Sequence, residues 1–252
     1  MAISLDKLQS QSPGLVNLRK SADTVLSHHV ELKNHTAKIA LALDYSGSMS
    51  SLYNNGTVQA LAERVLALGT AFDDDGDIDI FIFESSAHYV GTLSINNYQG
   101  GIGRLLSKYS MGSTNYADAM HLIRQHYQSS SSGSGSGNTG FLGGLFGKKS
   151  PKPVYPAYVI FITDGEPDSQ PAAEEQIRQA SKEPIFWQFM GVGSTRFDFL
   201  SKLDTMDGRE IDNAGFFAVA NPKNMSDDEL YQKMLAEYPI WLIQARKKGV
   251  VV

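Results

Sequence analysis

The sequence of 252 residues contains no cysteine. Disulfide bonds, thiolate metal ligands and a cysteine nucleophile are therefore excluded. Positive charge is also scarce, because 22 Lys and Arg residues stand against 27 Asp and Glu residues, which gives a net charge of −5. This balance opposes general binding to the phosphate backbone of nucleic acids. We therefore expect no nucleic-acid partner.

Long apolar segments are absent as well. No stretch reaches the roughly 18 apolar residues that cross a bilayer, and the first residues lack the apolar core of a signal peptide. The hydrophobic content of 42% is nevertheless that of an ordinary globular protein. We expect a soluble, cytoplasmic protein without stable membrane insertion.

The sequence divides into three kinds of segment. In residues 1–35, apolar residues recur at helical spacing after Pro13 and Gly14. This pattern predicts an N-terminal arm of helical character. Residues 36–250 predict the main domain. Within it, residues 129–156 are rich in Ser and Gly and predict a flexible insertion.

Apolar segments in the main domain alternate with amphipathic ones. This alternation predicts the α/β class, with a doubly wound, mostly parallel sheet and helices on both faces. Strands are expected at 36–43, 78–83, 158–163, 185–192 and 215–219, with an antiparallel edge strand at 88–92. Ser226 begins the final helix, and Pro239 is expected to bend it.

Oxygen-bearing side chains follow two of the predicted strands. Asp44, Ser46 and Ser48 come directly after the first strand, and Asp164 follows the strand at 158–163. Thr114 precedes a predicted helix and offers a further hydroxyl. Carboxylates and hydroxyls are the oxygen ligands that Mg²⁺ accepts in proteins while keeping several waters. The pattern therefore predicts a divalent-cation site at the carboxyl edge of the sheet.

The five residues resemble the metal-ion-dependent adhesion site of von Willebrand factor A domains, whose pattern is Asp-x-Ser-x-Ser, then Thr, then Asp. The resemblance implies Mg²⁺, or Mn²⁺ or Ca²⁺, as cofactor. Ser46, Ser48 and often Thr114 would bind the ion directly, and Asp44 and Asp164 would hold its waters. It also implies a metal-dependent protein-binding module, in which an acidic residue of a protein partner completes the metal shell.

Five segments make the resemblance more specific. They are similar to bacterial A domains associated with tellurium resistance and toxic-ion stress: LDYSGSM, FDDDGDIDIF, NYADAM, FITDGEP and EYPIWLIQAR. A role in that stress response is implied, with a protein carrying a tellurium-resistance domain as a possible partner.

An enzyme is the competing hypothesis. A Mg²⁺-dependent phosphatase or phosphotransferase could use Asp44 as its nucleophile. Such chemistry needs a general acid two residues later, where this chain has Ser46. The sequence also lacks a phosphate-binding P-loop and a GxSxG motif. We therefore expect a protein that is not an enzyme.

Two acidic clusters allow less specific interpretations. The run 73–75 does not match an EF-hand, because Ile82 stands where the twelfth-position Glu is needed, so a solvated turn is expected. Glu166 and Asp168 either adjust the charge of the predicted site or are solvated loop residues, and the sequence leaves both possibilities open.

Overall fold

The computed structural model describes residues 2–73, 75–131, 155–193 and 196–251, and omits the side chains of 129–131. Most of the insertion expected at 129–156 lies outside these residues. The helix before it runs from Tyr116 to Ser131, so residues 129–131 form its last turn.

A mostly parallel sheet lies at the centre of the molecule. Its strands are β1 (Lys38–Asp44), β2 (Asp77–Phe83), β3 (Ala87–Ser94), β4 (Ala157–Thr163), β5 (Ile185–Val192) and β6 (Ala214–Val219). Their order is β3-β2-β1-β4-β5-β6, and only the edge strand β3 runs antiparallel to its neighbour. The expected fold class, including the antiparallel edge, is confirmed.

Helices cover both faces of the sheet. They are α1 (Leu5–Gln11), α2 (Val16–Leu26), α3 (Ser50–Asn54), α4 (Thr57–Phe72), α5 (Gly101–Leu106), α6 (Tyr116–Ser131), α7 (Gln170–Ala180), α8 (Asp198–Thr205), α9 (Asp227–Leu235) and α10 (Tyr238–Lys247). Among the described residues, none of the helices combines the length and apolar character needed to cross a bilayer.

Strand β1 shows how the two cores form. Leu41 and Leu43 belong to the core beneath α2, α4, α9 and α10, whereas Ala40 and Ala42 belong to the core beneath α6, α7 and α8. Successive side chains of a strand point to opposite faces, so a central strand must be apolar throughout. By the same alternation, Asp44 lies on the α6 side.

The N-terminal arm contains α1 and α2 and packs against α4. The amide of Ile3 donates to the carbonyl of Thr70 at 2.9 Å, and the guanidinium of Arg19 donates to the same carbonyl at 2.8 Å. Buried side chains of the arm, among them Leu8 and Leu15, are part of the larger core. The arm is therefore an integral layer of this fold.

The expected single bent helix at the C-terminus is wrong. Two separate helices, α9 and α10, occupy this region, and Pro239 is the second residue of α10. Proline fits the first turn of a helix, where its missing N–H has no intrahelical acceptor. The predicted start of α9 is present, since Ser226 Oγ accepts from the amide of Glu229 at 3.2 Å.

Candidate metal centre

The two predicted aspartates lie at one edge of the sheet. Strands β1 and β4 are parallel neighbours, with Leu43 paired to Ile162. Asp44 ends the first strand, and Asp164 directly follows the second. Parallel pairing therefore brings together two carboxylates that are far apart in the sequence.

Four of the five predicted residues are connected by hydrogen bonds. The amide of Ser46 donates to Asp44 Oδ1 at 2.8 Å, and the hydroxyls of Ser46 and Ser48 lie 3.0 Å apart. Ser48 Oγ then donates to Asp164 Oδ1 at 2.7 Å. The structure thus gathers two carboxylates and two hydroxyls in one small volume.

Thr114, the fifth residue, lies on the neighbouring loop. This loop pairs with the site through a bridge between Ser46 and Gly112, and the amide of Gly112 donates to the carbonyl of Tyr45 at 3.2 Å. Among the hydrogen bonds of the described residues, the Thr114 hydroxyl is not joined to the other four side chains. Its loop is adjacent to the loop that carries Ser46.

Gly112 lies against the residues that follow β2. A Cβ at this position would lie 2.5 Å from Glu84 Oε2 and 2.7 Å from Ser85 Oγ. A side chain here would require the side chains of Glu84 and Ser85 to shift.

Asp168 holds the Thr114 loop from the other side. Its Oδ1 accepts from the amide of Thr114 at 3.2 Å, and its Oδ2 accepts from Ser113 Oγ at 2.7 Å. The amide of Asp168 in turn donates to the carbonyl of Thr114 at 2.9 Å. By contrast, Glu166 accepts from Gln170 at 3.0 Å. Of the two residues that the sequence left open, Asp168 is the one that binds the site's loops together.

Asp44 is supported by residues that the sequence analysis did not select. Its side chain is completely buried, and Thr163 Oγ1 donates to its Oδ2 at 2.6 Å. Tyr116 donates to Thr163 Oγ1 at 2.9 Å, and Tyr53 donates to the carbonyl of Asp44 at 2.8 Å. Strand alternation could have identified Thr163, because it lies on the same face of β4 as Phe161, which packs in the α6-side core.

Burial raises the pKa of the Asp44 carboxyl, and the neighbouring Asp164 raises this pKa further, while hydrogen bonds from Ser46 and Thr163 act in the opposite direction. The pKa values of Tyr53 and Tyr116 are raised well above their ordinary range, mainly by burial. Both tyrosines are therefore neutral donors at physiological pH. Negative charge in the site is concentrated on the two aspartates.

The composition of the site suits a hard cation. Within the described residues, no group of three or more His, Cys, Asp or Glu is placed to hold a metal ion. The predicted site is of another kind, with only two carboxylates and with hydroxyls as the remaining ligands. The described hydrogen-bond partners of the buried Asp44 carboxylate are neutral groups, Ser46 and Thr163. A cation beside this carboxylate would offset the cost of its burial.

Asp73 and Asp75 of the acidic run lie between α4 and β2. Helix α4 ends at Phe72 and β2 begins at Asp77. Lys38 Nζ lies 2.5 Å from carboxylate oxygens of both Asp73 and Asp75. An ammonium group thus already compensates these two carboxylates.

A family model described as the vWA found in the TerF C terminus matches residues 36–135 and 147–251. The chain belongs to the vWA-TerF-like family. The match includes both strands that carry the aspartates, and it omits residues 136–146 within the Ser/Gly-rich insertion. The chain is therefore a von Willebrand factor A domain in fold and in sequence.

Individual proteins are similar to this chain to different degrees. The uncharacterized protein YcbR of Bacillus subtilis (strain 168) is 33% identical over 240 residues, which cover 94% of this chain and 90% of that protein. Proximal thread matrix protein 1 of the mussel byssus has 15% identity and a TM-score of 0.50, covering 82% of this chain and 47% of that one. Manganese-loaded TRAP protein of Plasmodium vivax has 16% identity and a TM-score of 0.47, covering 73% of this chain and 69% of that one. The chain thus spans about half the length of the mussel protein, and that likeness concerns the fold alone.

Proposed function

We propose that this chain is a divalent-metal-dependent protein-binding module. Asp44, Ser46, Ser48, Thr114 and Asp164 would hold Mg²⁺, or Mn²⁺ or Ca²⁺, at the carboxyl edge of the sheet. The observation that carries the proposal is the hydrogen-bonded series from Asp44 through Ser46 and Ser48 to Asp164. It brings together oxygen atoms from the end of β1 and from the loop after β4, which are far apart in the sequence.

The chain's own residues have separate roles in this proposal. The two serine hydroxyls are neutral and would leave the charge of the ion incompletely balanced. Asp44 is held rigidly by Thr163 and by the Ser46 amide, so its position costs little entropy when a ligand binds. When bound, the divalent cation would supply positive charge and one coordination position to an acidic residue of a protein partner.

A role in the bacterial response to tellurium or other toxic ions is the biological setting we propose. The match to the vWA found in the TerF C terminus supports it. The partner would then be a cytoplasmic protein carrying a tellurium-resistance domain. No nucleic acid or membrane is required by this proposal.

We propose no catalytic role for Asp44. Ser46, two residues later, donates its amide to the Asp44 carboxylate and lacks the acidic proton that phosphoryl transfer needs there. A phosphatase assay with a generic phosphate ester tests this point. Mg²⁺-dependent turnover that disappears in Asp44→Asn would overturn the proposal of a binding module without catalysis.

Calorimetric titration with Mg²⁺, Mn²⁺ and Ca²⁺ tests the metal site. We expect saturable binding to the unmodified protein and a loss of at least about tenfold in affinity for Ser48→Ala and Asp164→Ala. The first variant removes a hydroxyl that would bind the ion, and the second removes a carboxylate that would hold its waters. Asp6→Ala is the matched control, because Asp6 is an exposed residue of α1 outside the site. Equal affinities in all four proteins would contradict the proposed site.

A further inference from the structure

A cleft of about 320 Å³ opens beside the metal centre, next to the loop that carries Asp44, Ser46 and Ser48. We call it the tyrosine cleft. The apolar and aromatic residues among those that line it are Tyr45, Tyr53, Ile102, Leu106, Tyr109 and Met111. This volume is within the range of roughly 300–1,000 Å³ that is typical of ligand pockets.

The loop after β1 contributes residues to both the cleft and the metal centre. Tyr45 stands between Asp44 and Ser46 in the sequence, and its carbonyl accepts from the amide of Gly112 on the Thr114 loop at 3.2 Å. Tyr53 lines the cleft and donates to the carbonyl of Asp44 at 2.8 Å. The edge of the cleft formed by Tyr45 and Tyr53 therefore adjoins the loop that carries the metal centre.

Apolar and aromatic side chains form part of the cleft wall, beside the polar residues Asn54, Gln59 and Ser107. Ile102 and Leu106 are 2% and 4% exposed, so they form a floor that is packed into the core. The rings of Tyr45 and Tyr53 meet edge to face with centroids 5.2 Å apart. Half-buried tyrosines of this kind provide contact area for an aromatic or aliphatic side chain at a small entropic cost.

The charge around the cleft suits an acidic peptide. All of its lining residues are uncharged, although the whole chain has a net charge of −5. Charged groups of both signs lie next to the lining: Lys108 Nζ is 5.4 Å from the ring centroid of Tyr109, and Glu63 accepts from the lining residue Gln59 at 2.8 Å. An acidic peptide would meet no carboxylate among the residues that line this cleft.

We infer that the tyrosine cleft binds an aromatic or large aliphatic side chain next to the acidic residue of the protein partner. The partner segment is an extended peptide whose carboxylate occupies the metal centre and whose neighbouring apolar side chain fills the cleft. This inference rests on the proposed function and adds the feature that distinguishes one acidic peptide from another.

Gly103 allows the cleft to be filled without disturbing the metal centre. It lines the cleft on α5, and a Cβ added there would meet no atom within 4 Å. Gly103→Phe therefore places a ring at the cleft. Tyr109→Ala has the opposite effect, because it removes one wall. Tyr155→Ala is the matched control, since Tyr155 is 50% exposed and precedes β4 at the opposite edge of the sheet.

The experiment uses two displayed libraries of short random peptides, one with a fixed central Glu and the other with a fixed central Gln. Selections on the whole chain are run with Mg²⁺ and with chelator. We expect Mg²⁺-dependent enrichment of the Glu library, with Phe, Tyr, Trp, Leu or Met next to the Glu. We expect this apolar preference to fall about tenfold in Gly103→Phe and Tyr109→Ala, the effect of losing one buried apolar side chain. It should persist in Tyr155→Ala.

The outcomes separate this inference from the proposed function. Mg²⁺-dependent enrichment of Glu without an apolar neighbour, or with a preference that both cleft variants retain, overturns the tyrosine cleft and leaves the metal-dependent module standing. Equal enrichment of the Glu and Gln libraries overturns both proposals. Circular dichroism of each variant verifies that it is folded before selection.

Discussion

Asp168 is the residue that joins the loop after β4 to the loop that carries Thr114. Its carboxylate accepts from the amide of Thr114 and from Ser113 Oγ, and its own amide donates to the carbonyl of Thr114. None of these bonds places Asp168 among the predicted metal ligands. Its effect on the site therefore acts through the position of Thr114.

We expect Asp168→Ala to weaken Mg²⁺ binding about tenfold, the lower end of the 10–100-fold range for residues that orient metal ligands. Titration calorimetry measures the affinity. The same loop supplies a control in Glu166→Ala, whose carboxylate accepts from Gln170 instead of from the Thr114 loop. If both variants bind Mg²⁺ equally, Asp168 does not position Thr114.

At the scale of elements, the arm is held to α4 by a buried guanidinium. Arg19 is 6% exposed and donates to the carbonyls of Ile3 and Thr70 at 3.0 and 2.8 Å. It also donates to Asp23 Oδ1 at 2.8 Å within α2. One side chain thus connects the start of the arm, α2 and the end of α4.

We expect Arg19→Met to lower the free energy of unfolding by about 2–4 kcal/mol, because Met fills much of the volume but removes the buried guanidinium's hydrogen bonds to the carbonyls of Ile3 and Thr70. Lys20→Met changes the same kind of charge at an exposed neighbouring position and should cost less than about 0.5 kcal/mol. Urea denaturation followed by circular dichroism measures both values. A similar small loss for the two variants would show that the arm does not depend on Arg19.

At the scale of the whole molecule, His35 lies where the arm, α4 and α10 meet. Its Nε2 lies 2.7 Å from Tyr238 Oη, and its ring contacts Phe72 edge to face with centroids 5.8 Å apart. Burial, and then the positive charge of Arg246, lower the pKa of His35 from 6.5 to about 4. The folded protein therefore contains neutral His35 over most of the physiological pH range.

This pKa predicts how stability changes with acidity. Between pH 6.5 and about 4 the unfolded chain binds a proton at His35 that the folded protein does not bind. The contribution of His35 to the free energy of unfolding is therefore fully present above pH 6.5 and is lost as the pH falls to about 4. Its size is about 3 kcal/mol by proton linkage.

Comparing His35→Gln with the unmodified protein isolates this contribution, because the other titrating groups are common to both. We expect the free energy of unfolding of His35→Gln to fall less steeply from pH 6.5 to 4 in urea titrations. His121→Gln, at an exposed position of α6, should keep the steep dependence. If the free energy of unfolding of His35→Gln and that of the unmodified protein fall equally with pH, the lowered pKa of His35 is not the cause of the dependence.

The sequence by itself determined most of the strands and helices and the edge of the sheet at which Asp44 and Asp164 lie. Apolar strands β1 and β4, the wide apolar stripe of α4 and the cap at Ser226 are local patterns. Each depends on residues a few positions apart, so periodicity and capping chemistry are sufficient to predict it. The rule that parallel strands end at one edge then placed Asp44 near Asp164.

Only the tertiary structure decided which groups support those ligands. The bonds from Thr163 to Asp44 and from Asp168 to the Thr114 loop join segments that are distant in the sequence. Arg19 reaches α4 in the same way, and the tyrosine cleft forms between α5 and the loop after β1. Such contacts depend on how loops and helices pack in three dimensions, which no periodicity along the chain encodes.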